Sequence, residues 1–412
     1  MPKFALPDGF LERILQNPDN PNFKMAYVMN ILFEGKMRAL FSMIFGVGIM
    51  LFIGEKEKSG RAIAGIFYSR MFWLAMFGLF HTYILLSGGD VLYPYALCGM
   101  ILFFFRNTKP VWLLGGVISL VILEMAIDTY RYDKHRSEQI TYIEIRENEQ
   151  RGVPLTDTQI KAKTTWLEDE KWYVHGQEEI DENIKVMRSQ YQTVAGKLRG
   201  TLILNQAWRV FFVMVDPMAL MLIGMVLFRW GFFSGRLGKK TYAWSLILCY
   251  SIGLPLVLYS WNISARFPNP LQFMESNPYN VRIYMYPIQR IFLALGHVSL
   301  IILLIRLKVF KGLFNAFAAV GKMAFSNYIL QTILCTLIFF GYGLGYFARL
   351  EYYQLYFIVI AIWVLQLIVS SLWLRYFRFG PLEWVWRSLT YRRLQPMMLP
   401  RSSIHLGLHS PV

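Results

Sequence analysis

Hydrophobic positions fall along this chain in long unbroken runs rather than in the alternation of a half-buried strand, and the runs recur from residue 39 to residue 374. Nine stand out, at 39–53, 66–86, 91–105, 111–127, 211–233, 242–261, 288–305, 314–340 and 353–374. A helix needs about 20 mostly apolar residues to cross the hydrocarbon of a bilayer, so the pattern predicts an all-α polytopic membrane protein with about nine visible transmembrane helices. The third run is short, contains Pro94 and follows the second after only Ser87-Gly88-Gly89-Asp90. Those two helices therefore form a tight hairpin. The pattern changes between 128 and 199, where apolar residues return at three- and four-residue spacing among good helix formers, in Ile140-Thr141-Tyr142-Ile143-Glu144-Ile145-Arg146 and again over 161–188. This stretch reads either as amphipathic helices capping one mouth of the bundle or as a solvated spacer.

Composition agrees. The chain of 412 residues is 55% hydrophobic and 17% charged, with mean hydropathy +0.37, well below the quarter of charged residues usual in a soluble domain. Cys98, Cys249 and Cys335 all sit in apolar runs, which excludes a disulfide framework or a CxxC-type zinc module, and no metal site is expected. A net charge of +16 would suggest nucleic acid in a soluble protein. Its distribution says otherwise. Alternating sides along nine runs gathers twenty Lys and Arg on one face, from Lys56 through Arg401, and leaves only Arg266, Arg282, Arg290 and Arg349 in the short loops of the other. Cytoplasmic loops retain positive charge, so the basic face and the C-terminus are predicted to be cytoplasmic, with the bilayer and not nucleic acid as the partner of the charge. The connection 128–199 carries 14 acidic and 12 basic residues and is predicted to be extracytoplasmic.

The predicted organisation is an outer N-terminal segment (1–38), a first bundle of four spans (39–127), the extracytoplasmic loop or cap (128–207), a membrane region of five spans (208–395) and a cytoplasmic tail (396–412). The N-terminal segment fits poorly, since it would lie outside with Lys3, Arg13, Lys24, Lys36 and Arg38 and no signal peptide. The expectation is that one more span belongs before Met1, which would make Asn17-Pro18-Asp19-Asn20-Pro21-Asn22 an outer loop.

Several phrases carry a resemblance. They are Phe33-Glu34-Gly35-Lys36-Met37-Arg38-Ala39-Leu40-Phe41-Ser42-Met43-Ile44-Phe45-Gly46-Val47-Gly48, then Gly78-Leu79-Phe80-His81 and Gly89-Asp90-Val91-Leu92-Tyr93-Pro94-Tyr95-Ala96-Leu97. In the second half they are Leu222-Ile223-Gly224-Met225, Val320-Gly321-Lys322-Met323-Ala324-Phe325-Ser326-Asn327-Tyr328 and Gly380-Pro381-Leu382-Glu383-Trp384-Val385-Trp386-Arg387. Over about residues 30–395 the chain resembles the YeiB-like bacterial membrane proteins, whose C-terminal region is domain of unknown function 418. The resemblance implies ten spans in an intact member, the first with an Asp-x-x-Arg-Gly phrase that this chain lacks. It also implies a grouping with the transmembrane acyltransferases, which pass acyl groups to acceptors outside the cytoplasm. In the sugar N-acetyltransferases of that group the catalytic histidine lies in the first outer loop, whereas residues 10–34 here contain no histidine.

Ionisable groups beside hydrocarbon are costly and so become site candidates. His81 and Asp90 flank the tight hairpin at its outer end. A carboxylate that orients imidazole is the usual partnership for a general base, so the pair is the predicted catalytic site, with hairpin capping as the alternative. Glu34, Lys36 and Arg38 precede the first run, where a basic pair can hold an anionic substrate or can pair with Glu34. Arg290 and His297 share one helix face two turns apart, and Arg290 is close enough to the outer end to snorkel to the interface. Asn327 and Gln331, with Ser326, make a polar stripe that either lines a substrate path or joins helices. Glu124 and Asp128 suit a proton relay or a salt bridge equally. No glycine-rich phosphate loop, HExxH or GxSxG occurs.

The expected function is that of an inner (plasma) membrane, acyltransferase-like protein modifying an envelope polysaccharide, lipid or small-molecule acceptor. No cofactor is expected to be held tightly, and acyl-CoA or a similar donor would supply the acyl group. A transporter or channel for a small metabolite or lipid, and a non-catalytic membrane scaffold, are the alternatives.

Overall fold

A computed structural model describes residues 2–7, 9–57, 63–171, 173–174, 176–207 and 210–399. Lys58, Arg61 and Arg401, counted above in the charge bias, and the tail from residue 400 lie outside the described residues. The fold is all-α, with one isolated bridge between Phe377 and Met398 and no strand among the described residues. Two short helices, Pro2–Ala5 and Phe10–Leu15, precede the larger ones.

Each of the nine apolar runs is helical. α1 (Pro21–Leu32) and α2 (Lys36–Glu57) are separated only by Phe33-Glu34-Gly35 and together make an apolar stretch from Pro21 to Glu55. α3 (Ile63–Tyr83) and α4 (Leu92–Leu102) form the predicted hairpin. α5 (Pro110–Gln150) is followed by α6 (Asp157–Glu170), α7 (Gln177–Met187) and α8 (Tyr191–Ala207). α9 (Val210–Arg229), α10 (Lys239–Arg266), α11 (Val281–Arg306), α12 (Lys311–Lys322), α13 (Ala324–Phe339), α14 (Tyr352–Trp373) and α15 (Pro381–Tyr391) complete the set used below. Among the described residues seven helices are long and apolar enough to cross a membrane, or eight if α12 and α13 count as one, and Leu92–Phe105 is shorter. The chain is a multi-pass membrane protein.

Three boundaries differ from those read in the sequence, each for a local reason. The stretch 17–22 is not simply a loop, because Asn20 accepts from the Asn22 amide at 2.8 Å and Pro21 occupies the first turn, which starts α1 there. The helix of the fourth run does not end with its apolar residues at 127, since the polar continuation is rich in helix formers and α5 runs unbroken to Gln150. The run 314–340 is not one straight span. It breaks at Met323, and α12 and α13 are bent by 83°. The Glu383 carboxylate explains where α13 begins, since it accepts from the free amides of Phe325 at 2.7 Å and Ser326 at 3.0 Å and from the Ser326 hydroxyl.

Tight helix crossings place the site. α9 is the central helix, 72% buried over its apolar window. A Cβ added to Gly224 would come within 2.0 Å of the Met43 carbonyl oxygen on α2, and one added to Gly46 within 2.1 Å of the Met221 oxygen on α9. Only paired glycines allow two backbones to approach so closely. In the hairpin, a Cβ on Gly78 would lie 2.5 Å from the Tyr93 nitrogen, so that glycine lets α4 close onto α3. The connection from α5 to α8 packs on the same end: Tyr191 donates to the Ile84 carbonyl at 2.8 Å, Arg199 reaches the Tyr83 carbonyl at 3.3 Å, and Gly341 donates to the Met187 carbonyl at 2.9 Å.

Candidate functional site

His81 stands in the last turn of α3, and Asp90 ends the four-residue turn before α4. Nine residues separate them in sequence, yet His81 Nδ1 lies 2.8 Å from Asp90 Oδ1. The second Asp90 oxygen accepts the Tyr93 amide at 2.9 Å, so one carboxylate both starts α4 and orients the imidazole. His81 Nε2 lies 2.8 Å from the Thr332 hydroxyl on α13. An ionised carboxylate only accepts, which fixes the proton of a neutral ring on Nδ1 and leaves Nε2 to accept from Thr332. His81 is fully buried, and the Tyr328 ring packs 4.8 Å from it.

Tyr328 also closes one end of an apolar cavity of about 300 Å³. Phe41, Ile44, Phe45, Gly48, Ile49 and Phe52 line it from α2 at spacings of three and four, which is one helix face. Phe67, Arg70, Met71 and Leu74 line it from α3, and the same face continues through Gly78 to His81. On α13, Tyr328 lines the cavity and Thr332 follows one turn later. Arg70, Lys322 and Glu383 lie at the opposite end. The Arg70 guanidinium rests over the Trp386 ring at 4.2 Å, and the Trp386 indole donates to the Arg70 carbonyl at 2.9 Å.

A second polar network lies against α9. Asp216 faces two arginines, with Arg290 at 2.6 Å and Arg38 at 2.9 Å, and Glu124 on α5 approaches Arg290 at 3.4 Å. The Arg38 carbonyl accepts the Ser42 hydroxyl, which meets the Tyr95 phenol at 2.5 Å, and Tyr95 lines the cavity. Arg290 is 1% exposed, so it does not snorkel as its position suggested. Two carboxylates inside the bundle supply the counter-charge that the interface would otherwise provide.

The other candidates separate. Lys36 is buried and turns to the Asn30 carbonyl, Glu34 accepts from Asn30 at 3.3 Å, and neither joins His81. The His297 ring nitrogens meet backbone carbonyls, those of Leu293 at 2.5 Å and Leu32 at 3.0 Å, and so tie α11 to the end of α1. Asn327 donates to Ser370 at 2.9 Å and accepts from Gln366 at 2.9 Å, which makes it a joint between α13 and α14. Gln331 is half-buried and belongs to neither network. Sequence reasoning missed Asp216, Thr332 and Glu383. Asp216 carried a signal, as an acidic residue inside the apolar run 211–233. Thr332 and Glu383 carried none, because their partners are 251 and 57 residues away.

Residues 227–393 match the family described as a protein of unknown function, DUF418. The chain is 28% identical over 405 residues to the uncharacterized protein YxaH of Bacillus subtilis (strain 168), covering 96% of this chain and 90% of that protein. It is 27% identical over 385 residues to the uncharacterized protein YeiB of Escherichia coli (strain K12), covering 89% and 85%. A 39.9 kDa protein encoded in the amylase 3' region of Bacillus acidopullulyticus is 26% identical over 382 residues. No solved structure matches the chain.

Proposed function

Because the chain is a YeiB-like protein of the DUF418 family, we propose for it an acyltransferase-like activity in the inner membrane, with His81 as the general base. The observation that carries the proposal is the order carboxylate, imidazole, hydroxyl in Asp90, His81 and Thr332, with both links at 2.8 Å. The Thr332 hydroxyl occupies the place at Nε2 that an acceptor hydroxyl would take. His81 Nε2 removes the acceptor's proton as its oxygen bonds to the acyl carbon, and the donor's thioester C–S bond breaks. The same Nε2 then returns the proton to the departing thiolate. Asp90 holds the ring and its tautomer and stabilises the imidazolium between these steps.

The apolar cavity supplies a passage for the pantetheine arm of the donor from the Arg70 end, with Tyr328 between that passage and His81. The charge bias of the loops supports a His81 end outside the cytoplasm and an Arg70 end inside, in keeping with an acyl-CoA donor and an envelope acceptor. Arg38, with a side chain 41% exposed, is the accessible cation of the second network and the group best placed to meet an anionic substrate. The test is thiol release from an acyl-CoA series by the protein in lipid nanodiscs. His81→Ala should lower the rate about 100-fold or more, and Asp90→Asn nearly as much. No release above empty nanodiscs, or wild-type release by folded His81→Ala, would refute the assignment.

One observation favours transport instead. α12 and α13 form a discontinuous helix, as in many transporter sites, and the same bundle holds a buried ion network. Distance measurements that show two alternately opened halves, without thiol release, would select that function.

A further inference from the structure

The polar end of α5 carries a feature remote from His81. His135 and Glu138 lie three residues apart on α5, on one helix face, and Asp169 approaches them from α6. One imidazole nitrogen and one oxygen from each carboxylate lie within 4.8 Å of one another. His135 Nδ1 and Glu138 Oε2 are buried atoms without a hydrogen-bond partner, and they face each other at 3.5 Å. That gap is long for a hydrogen bond. It is close to the roughly 3.4 Å that separates two ligand atoms bound at about 2.1 Å to one tetrahedral metal. Lys134 approaches only the other Glu138 oxygen, at 3.8 Å. The Tyr173 ring closes the site 5.9 Å from the His135 ring.

The position is also aqueous. His135 follows Pro110 by 25 residues, which is about 37 Å of helix and more than the roughly 30 Å of bilayer hydrocarbon.

We propose that His135, Glu138 and Asp169 bind a divalent transition-metal ion of the zinc type, with water completing the coordination, and that the ion pins α6 to the end of α5. One imidazole and two carboxylates suit zinc, whereas calcium takes six to eight oxygen ligands and magnesium keeps most of its water. The site does not depend on His81 being catalytic. It requires only that an ion draw in three groups already facing one another.

The test is calorimetric titration of the metal-stripped full-length protein in detergent with zinc chloride, together with its thermal midpoint. Wild type should bind one zinc ion saturably and gain several degrees, and His81→Ala should behave identically. His135→Ala and Asp169→Asn should each weaken binding about 100-fold or more and abolish the thermal gain. Asp169→Asn lies on the other helix and carries the test if His135→Ala does not fold. Cobalt should give the visible bands of a low-coordinate site in wild type, and these should vanish in either variant. Zinc binding unchanged in both variants would place the metal elsewhere, for instance on His405 and His409, and overturn the site. Absence of saturable zinc binding, or tighter binding of calcium than of zinc, would also overturn it.

Discussion

The two buried polar networks of this protein differ in what their charges can do. In the Asp90–His81–Thr332 network one carboxylate faces one imidazole, and the outer nitrogen of that ring meets a hydroxyl. A proton can arrive at Nε2 and leave again without stranding an ion. In the Arg38–Asp216–Arg290–Glu124 network two permanent cations are held by two carboxylates, and Asp216, which faces both arginines, cannot lose its charge without leaving Arg290 poorly compensated in the bundle. The first can work as a chemical centre, and the second can hold α2, α5, α9 and α11 together. The lesson is that burial of ionisable groups marks a site only when their proton inventory can change.

Four substitutions probe this contrast, from the largest effect to the smallest. Asp216→Asn should be worst, because it strands Arg38 and Arg290. The expected cost is about 3–5 kcal/mol, seen as loss of folded protein from membranes, and Arg290→Gln in the same chain should recover part of it. Full accumulation of Asp216→Asn would show that the second network is not structural. His81→Ala comes next, with turnover down about 100-fold and a stability loss of about 2–3 kcal/mol, because Asp90 and Thr332 each lose a buried partner while Asp90 keeps the Tyr93 amide. Thr332→Val keeps the volume and removes one hydroxyl, for a loss of about 1–3 kcal/mol in thermal unfolding. Its turnover should remain within about tenfold if an acceptor takes the vacated position at Nε2. Glu124→Gln should cost least, about 1 kcal/mol, because its contact with Arg290 is long, the Gln oxygen can still accept, and Arg290 keeps Asp216 at 2.6 Å.

How legible these features were in the sequence follows from the range of the interactions behind them. The apolar runs could be read because bilayer thickness sets a minimum length for a spanning helix. Each run is helical, and among the described residues seven helices, or eight if α12 and α13 count as one, are long and apolar enough to cross. The His81–Asp90 contact was approachable because a four-residue turn cannot let its helices separate. The break at Met323 was hidden, since the Glu383 carboxylate that caps α13 arrives from α15. Arg290 was misjudged from its place near a helix end while its partners, Asp216 and Glu124, lay on other helices. Gly46 and Gly224 stood in the quoted phrases, but only the crossing of α2 and α9 explains why no side chain fits there.

The most direct test of the central claim measures thiol release and the thermal midpoint on the same purified His81→Ala sample, beside Asp216→Asn. If His81 is the chemical centre, His81→Ala loses release while its midpoint falls little further than that of Thr332→Val, which keeps release, and Asp216→Asn loses both together. A His81→Ala protein whose release survives, or whose release and midpoint fall in proportion as they do for Asp216→Asn, would contradict the account.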